Sequence, residues 1–210
     1  VKVILFDFDG TIADSFELIF RIANRLAVEY GYPTTNPEDI RHLKNLTSKE
    51  VVRQSGVNIW QLLFLLRRLR REMNREIATL KLIPGMRESL SALKDQGHWL
   101  GIVTSNSTEN VETFLQQQQL GDLFDQVVSG LTLFGKGKVI RRVIQQHQLE
   151  LEQVIYVGDE TRDIEAAHKV GVVAIAVSWG FSSSEVLAKQ KPDYLVHHPE
   201  ELVNVIRHLA

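Results

Sequence analysis

The chain opens with Val3-Ile4-Leu5-Phe6, an unbroken apolar run that predicts a fully buried strand. It stops abruptly at Asp7-Phe8-Asp9-Gly10-Thr11, which is polar and doubly acidic. From Ser15 the period changes: Leu18, Ile19, Ile22, Leu26 and Val28 recur at helical intervals up to the stop signal Tyr30-Gly31-Tyr32-Pro33. Further helices are predicted over 36–44, 48–55 and 59 to about 78, before Pro84-Gly85, and no strand pattern interrupts them. Alternation of helix and strand then resumes. The pattern predicts a helix over 87–96 and a strand over 98–103 that ends in Thr104-Ser105-Asn106-Ser107. A helix over 108–119, a strand over 126–129 and a helix from the Gly-Lys-Gly-Lys stretch through Gln146 follow. The remainder reads as a strand over 154–157, a helix over 162–169, strands over 172–177 and 194–196, and a terminal helix.

Short apolar strands separated by amphipathic helices imply right-handed crossovers and a parallel sheet covered on both faces. The expected fold is therefore α/β: a Rossmann-like, doubly wound parallel-sheet core over 1–14 and 84–210, with an all-helical module inserted over 15–83. Ligands in such sheets collect at the carboxyl ends of the strands. The unusual polar residues fall there repeatedly: Asp7 and Asp9 after one strand, Thr104 after another, Lys136 in the loop after a third, Asp159 and Asp163 after a fourth. An Asp after a strand, taken alone, usually caps the next helix. Four such groups on one rim, carrying both signs of charge, describe a site instead.

Composition narrows the chemistry. With 210 residues, 44% of them hydrophobic, the chain can bury one good-sized core with room for a smaller unit. A net charge of -2 argues against a protein built mainly to hold nucleic acid or an anionic membrane. There is no cysteine, which excludes disulfides, thiolate metal sites and a cysteine nucleophile. No apolar run approaches the length of a membrane span, and the chain enters its first strand without a basic, apolar leader, so a soluble cytoplasmic protein is expected. Val1 in place of Met leaves a processed or trimmed start open.

Side chains two apart on an extended segment point the same way, so Asp7 and Asp9 can converge before Gly10 turns the chain. Two such carboxylates repel, and with no Lys or Arg between Lys2 and Arg21 a metal ion is the natural partner. The oxygen donors Asp7, Asp159 and Asp163 suit Mg²⁺ far better than zinc or copper. Asp7, with a reference pKa of about 3.9, is an anion near neutrality and can attack phosphorus without a base. A phosphate dianion would repel it, and a divalent cation with a lysine on the phosphoryl oxygens is the remedy. Lys136 supplies that charge, with Lys138 a competitor farther along the helix. Thr104 and the amides after it can donate to phosphoryl oxygens, and Asp9 is placed to protonate the leaving oxygen and then take a proton from water. The candidate phosphate-binding set is Gly10, Thr11, Thr104, Ser105, Asn106 and Lys136.

With these residues in view, the chain resembles the haloacid-dehalogenase superfamily of hydrolases, in the phosphoglycolate-phosphatase-like branch that carries a helical cap after its first motif. Asp7-Phe8-Asp9-Gly10-Thr11 matches the first motif, Ile102-Val103-Thr104-Ser105-Asn106 the second, a lysine within 135–138 the third and Gly158-Asp159-Glu160-Thr161-Arg162-Asp163 the fourth, in family order. The resemblance implies an Mg²⁺-dependent phosphatase acting on a small phosphorylated metabolite. It implies Asp7 as nucleophile forming an aspartyl-phosphate, Asp9 as general acid and base, Mg²⁺ on Asp7, Asp159 and the Asp9 backbone carbonyl, and a mobile cap. The carboxylate at Asp9 argues against relatives that break carbon–halogen or carbon–phosphorus bonds, because an oxygen leaving group is what needs the proton. Two departures stand out: Gly137-Lys138 follows Lys136 where a proline-containing stretch is usual, and Asn45 stands where a glycine is expected.

A phosphomutase of the same superfamily is the nearest alternative, and a non-catalytic binding or scaffold domain the alternative of another class. Gly130 to Lys136 fits the first seven places of a nucleotide P-loop, but Gly137 lacks the hydroxyl that the eighth needs. Between Ala13 and Ile83 there are 12 Lys/Arg against 8 Asp/Glu, so the inserted module is +4 and the remainder -6. Arg67, Arg68, Arg70, Arg71 and Arg75 read most simply as a solvated face with Glu72 and Glu76. A functional version has the module recognise an anionic substrate through Arg21, Arg41 or Lys44. Glu160 and Arg162 read as a solvated pair or a brace for the site.

Overall fold

The computed structural model describes residues 1–130 and 135–209. In chain order it comprises β1 (Val3–Phe6), β2 (Ala13–Asp14), α1 (Phe16–Tyr30), α2 (Ile40–Lys44), α3 (Ser48–Gln54), α4 (Ile59–Glu76) and β3 (Lys81–Leu82). There follow α5 (Met86–Asp95), β4 (Trp99–Thr104), α6 (Thr108–Gln117), β5 (Gln126–Ser129), α7 (Lys136–His147), β6 (Val154–Gly158), α8 (Thr161–Val170), β7 (Val173–Val177), α9 (Ser184–Lys189), β8 (Tyr194–Val196) and α10 (Pro199–Leu209). The P-loop-like stretch noted above falls largely outside the described residues. Among these, no helix is long and apolar enough to cross a membrane.

The main sheet has the order β5-β4-β1-β6-β7-β8, every pair parallel. β1 sits between β4 and β6, in register Val3 with Trp99 and with Val154. The chain therefore steps outward on one side to β5 and returns to the other side for β6, which makes the end of β1 the topological switch point where such sheets open a crevice. All four β1 side chains are buried, as a central strand requires. They alternate between the two faces: Ile4 and Phe6 join a core that includes Leu90, Phe114 and Leu202, while Val3 and Leu5 join Ile140, Tyr156 and Ile164.

Helix boundaries follow local chemistry. Thr47 with Glu50, and Asn58 with Gln61, form capping boxes that open α3 and α4. Gly31 closes α1 with a φ of 73°, a left-handed conformation that costs glycine nothing. Three features differ from the sequence expectation. β3 lies inside the stretch read as free of strands, and pairs antiparallel with β2, Ala13 opposite Leu82. This two-residue ribbon joins the points where the chain leaves and re-enters the sheet domain, and it is too short to show a period. α9, six residues long, was not expected for the same reason. Lys136 is the first residue of α7 rather than part of the preceding loop.

Phe8, beyond the end of β1, is fully buried and meets Phe114 of α6 edge-on, with ring centroids 5.2 Å apart. This contact anchors the acidic turn to the core. Replacing Phe114 with Ala should cost about 3–5 kcal/mol, read as a lowered urea midpoint, because the cavity opens under rigid backbone. A loss below about 1 kcal/mol would contradict this packing role.

Candidate active site

The site is built at the end of β1. The Asp7 amide still pairs with Val157 O at 2.8 Å, extending the β1–β6 ladder by one residue. The chain then turns, and Phe8 O accepts from the amides of Thr11, Ile12 and Ala13. Gly10, with φ 76°, is needed there: a Cβ would stand 2.5 Å from Phe181 Cδ2. The turn fixes the Asp7 carboxylate. Oδ1 accepts from the Phe8 amide at 2.8 Å, and Oδ2 lies 2.5 Å from Lys136 Nζ.

Lys136 reaches Asp7 from the first turn of α7, is only 3% exposed, and also lies 2.5 Å from Asp163 Oδ1. Lys138, two residues on, is exposed. The geometry thus brings Lys136, not Lys138, to Asp7. Burial alone would lower the Lys136 pKa, but the Asp163 and Asp7 carboxylates raise it well above the ordinary lysine range, so it stays charged. Tyr156 backs it, its ring centroid 5.9 Å from Nζ and its hydroxyl donating to Val103 O at 3.2 Å.

Asp159 and Asp163 follow β6. One carboxylate oxygen from each of Asp7, Asp159 and Asp163 lies within 4.8 Å of the others, and all three residues are buried. Asp159 is held by Thr11 Oγ1 at 2.8 Å and by the Phe181 amide at 2.7 Å. Asp163 also accepts from the Glu160 amide at 3.0 Å, which ties it into the N-terminal cap of α8. Asp7, Asp159, Asp163 and Glu160 stand against two nearby cations, Lys136 and Arg162, so negative charge is in excess. Burial, with Lys136 opposing and Asp163 adding, pushes the Asp7 carboxyl up to about 7. Asp159 is raised well above the carboxylate range by burial and by Asp7, Glu160 and Asp163. An all-oxygen donor set with uncompensated charge is what a hard divalent cation fits.

Asp9 points elsewhere. Its carboxylate accepts from Asn106 Nδ2 at 3.0 Å, and burial raises its pKa. Its side chain is not part of the three-acid cluster. The Asn106 side chain therefore serves Asp9. Its Oδ1 accepts from Asn110 Nδ2 at 2.8 Å, and Asn110 in turn bonds to Arg70 O at 3.2 Å and accepts from Asn74 at 2.8 Å. This buried relay joins Asp9 to α4 of the insertion. Two expectations need revision. The Thr11 hydroxyl goes to Asp159, and the Gly10 amide to Ala13 O at 2.9 Å, so neither group faces a phosphoryl oxygen. Thr104, 2% exposed, ends β4 with its hydroxyl accepting from the Asn106 amide at 2.9 Å, and Ser105 lies between them on the turn.

The inserted helices close over this rim. Lys44 Nζ donates to Gly180 O at 2.9 Å, and the Ser183 amide donates to Lys44 O at 2.7 Å. Ser48 bonds to Thr161 and Glu160, and Lys49 lies 2.6 Å from Glu165. Asn45 accepts from Ser183 Oγ and has φ -88°, so this turn needs no glycine. Of the cations read as recognising a substrate, Arg21 is paired with Glu76 at 2.5 Å and Lys44 sits 4.3 Å from the Phe16 ring centroid. Glu160 and Arg162 form a largely buried ion pair, a brace rather than a solvated pair. Asn110, Asn74 and Tyr156 were missed, because isolated polar residues in helix and strand patterns carry no local signal.

A family model of haloacid dehalogenase-like hydrolases matches residues 4–177. The chain is similar to a phosphoglycolate phosphatase of Synechococcus elongatus, 37% identical over all of this chain and 99% of the relative. It is 27% identical to a phosphoglycolate phosphatase of Aliivibrio fischeri, over 98% of this chain and 96% of the other. Among solved structures, a haloacid dehalogenase-like hydrolase from Streptococcus pneumoniae superposes with a TM-score of 0.80 at 25% identity, covering 98% of each chain.

The raised acids give a signed pH dependence. Metal-free protein keeps the Asp7 proton up to about pH 7, so this group's contribution to stability is fully present below 3.8, the ordinary value of an unfolded Asp, and is lost as pH rises through about 7. A bound cation requires the carboxylates ionised, so the thermal stabilisation given by Mg²⁺ should be small near about pH 5.5 and larger near about pH 8. Asp159→Asn should abolish it. Equal shifts at both pH values, or a shift that persists in Asp159→Asn, would count against the cluster as a cation site.

Proposed function

The chain belongs to the haloacid dehalogenase-like hydrolases and is a phosphatase, and on that premise we propose that it hydrolyses a small carboxylated phosphomonoester of the phosphoglycolate kind, with Asp7 as nucleophile. The observation that carries this reading is the placement of Asp7 at the switch point of the sheet, 2.5 Å from a buried lysine and beside two further acids, with Asp9 held separately by Asn106.

An Asp7 oxygen attacks phosphorus, and the bond from phosphorus to the ester oxygen breaks. Asp9, whose raised pKa favours the protonated form, gives its proton to that departing oxygen. Water then attacks the phosphorus of the aspartyl-phosphate while Asp9 takes the proton back, releasing inorganic phosphate and the free Asp7 carboxylate. Lys136, Thr104 and the amide of Ser105 are assigned to the phosphoryl oxygens, where charge grows, while the Asn106 amide holds the Thr104 hydroxyl in place. Asp7, Asp159, Asp163 and the Asp9 carbonyl would hold Mg²⁺, which supplies positive charge against the nucleophile and the phosphoryl group.

Residues 15–83 act in this reading as a cap that shuts the site from bulk water, and the contacts of Lys44, Ser48 and Lys49 with the sheet domain support it. The similarity to phosphoglycolate phosphatases and the +4 charge of the insertion support an anionic substrate. The same reading makes it a soluble cytoplasmic enzyme with neither nucleic acid nor membrane as partner. Water rather than a sugar hydroxyl is the acceptor, so free phosphate is the product, whereas the mutase alternative would return a phosphorylated isomer.

Asp7→Asn should reduce turnover to background. Asp9→Asn should slow it by about 10²–10⁴-fold and let labelled phosphate accumulate on the protein. Normal turnover by Asp7→Asn, with deamidation excluded by mass spectrometry, would remove the nucleophile assignment.

A further inference from the structure

The arginines of α4 do not share one environment. Arg68 and Arg75 are taken up by Glu72, which is buried and lies 3.0 and 3.1 Å from them. Arg67 and Arg71 are exposed. Arg70 turns toward the sheet domain. It is partly buried, its Nη2 donates to Gly130 O at 3.2 Å, and no acidic side chain among the described residues forms an ion pair with it. Its own carbonyl is pinned by Asn110, the residue that leads through Asn106 to Asp9.

Gly130 follows β5, and its amide donates to Thr104 O at 3.0 Å. The Arg70 guanidinium is therefore held over the same strand ends that carry Thr104 and Asn106. It feels the Asp9 carboxylate, which works against the loss of charge that its burial favours. Direction matters here. The phosphoryl group belongs at Asp7 and Lys136, and the ester oxygen must face Asp9 to receive its proton, so the rest of the leaving group extends to the Asp9 side. That is the side on which Arg70 waits. A guanidinium offers five N–H donors in a planar fork, and the Gly130 carbonyl takes one, which leaves a fork suited to a carboxylate.

We propose that Arg70 is the specificity-determining residue of the insertion, binding the anionic group on the leaving side of the substrate. This rests on the reading of Asp9 as the acid toward the leaving oxygen. It also replaces Arg21, Arg41 and Lys44 as the recognising cation, and explains why a helix read as a solvated face has one arginine turned inward.

The test uses two esters that differ in one group, phosphoglycolate and 2-hydroxyethyl phosphate, with the full-length enzyme and its Arg70→Gln and Arg70→Lys variants. The parent enzyme should prefer the carboxylate, and the ratio of kcat/KM between the two esters should fall about 10- to 100-fold in Arg70→Gln, mostly through KM. Any loss common to both esters, from altered packing, cancels in that ratio. Arg70→Lys keeps the charge without the fork and should fall between. A ratio unmoved in either variant, or a parent enzyme indifferent to the carboxylate, would overturn the assignment while leaving the phosphatase intact. Failure of the parent enzyme to turn over any phosphomonoester would instead overturn the proposed function, and this inference with it.

Discussion

The constraint from which the rest follows is the burial of three carboxylates, Asp7, Asp159 and Asp163, around one ammonium group. Desolvating that much like charge is expensive, and a structure selected for stability alone would have no reason to keep it. The fold spends its central features on holding it. β1 is the middle strand so that Asp7 emerges at the switch point, α7 begins at Lys136 so that its first side chain reaches back to Asp7, and the cap of α8 fixes Asp163. The imbalance has a chemical use in the proposed mechanism: excess negative charge would draw a divalent cation, and the cation with Lys136 would make an attack by one anion on another feasible.

Asp9 is kept out of this cluster, and the separation gives two neighbouring carboxylates different surroundings. Asp7 is surrounded by groups that bind or oppose its charge, whereas Asp9 lies in a buried setting where the Asn106 side-chain amide donates to it at 3.0 Å. The same amide belongs to a relay that ends on α4. The position of the inserted helices is thereby linked to the orientation of the acid. Asp9, Asn106, Asn110 and α4 are parts of one hydrogen-bonded structure.

Much of this was legible in the sequence because the relevant signals are strong. The apolar runs at β1, β4 and β6 each end in a polar residue of the site, and a parallel sheet sends all such ends to one rim. The limits have physical reasons. The β2–β3 ribbon and α9 are shorter than a period of any pattern. Thr11 and Asn106 were assigned by their place in a motif, but which way a hydroxyl or amide turns depends on partners from distant segments, Asp159 in one case and Asp9 in the other. Arg70 was hidden for the opposite reason: on a helix crowded with arginines, nothing local distinguishes the one that faces the site.

The account turns on Asp7 receiving the phosphoryl group beside a cation held by Asp159. The most direct measurement is a crystal structure of the protein soaked with Mn²⁺ and beryllium fluoride, the fluoride complex standing in for the phosphoryl group and the anomalous signal locating the metal. The account predicts beryllium bonded to an Asp7 carboxylate oxygen, with Lys136 on a fluoride and manganese coordinated by Asp7 and Asp159. Beryllium fluoride bound away from Asp7, or manganese held by neither carboxylate, would contradict it.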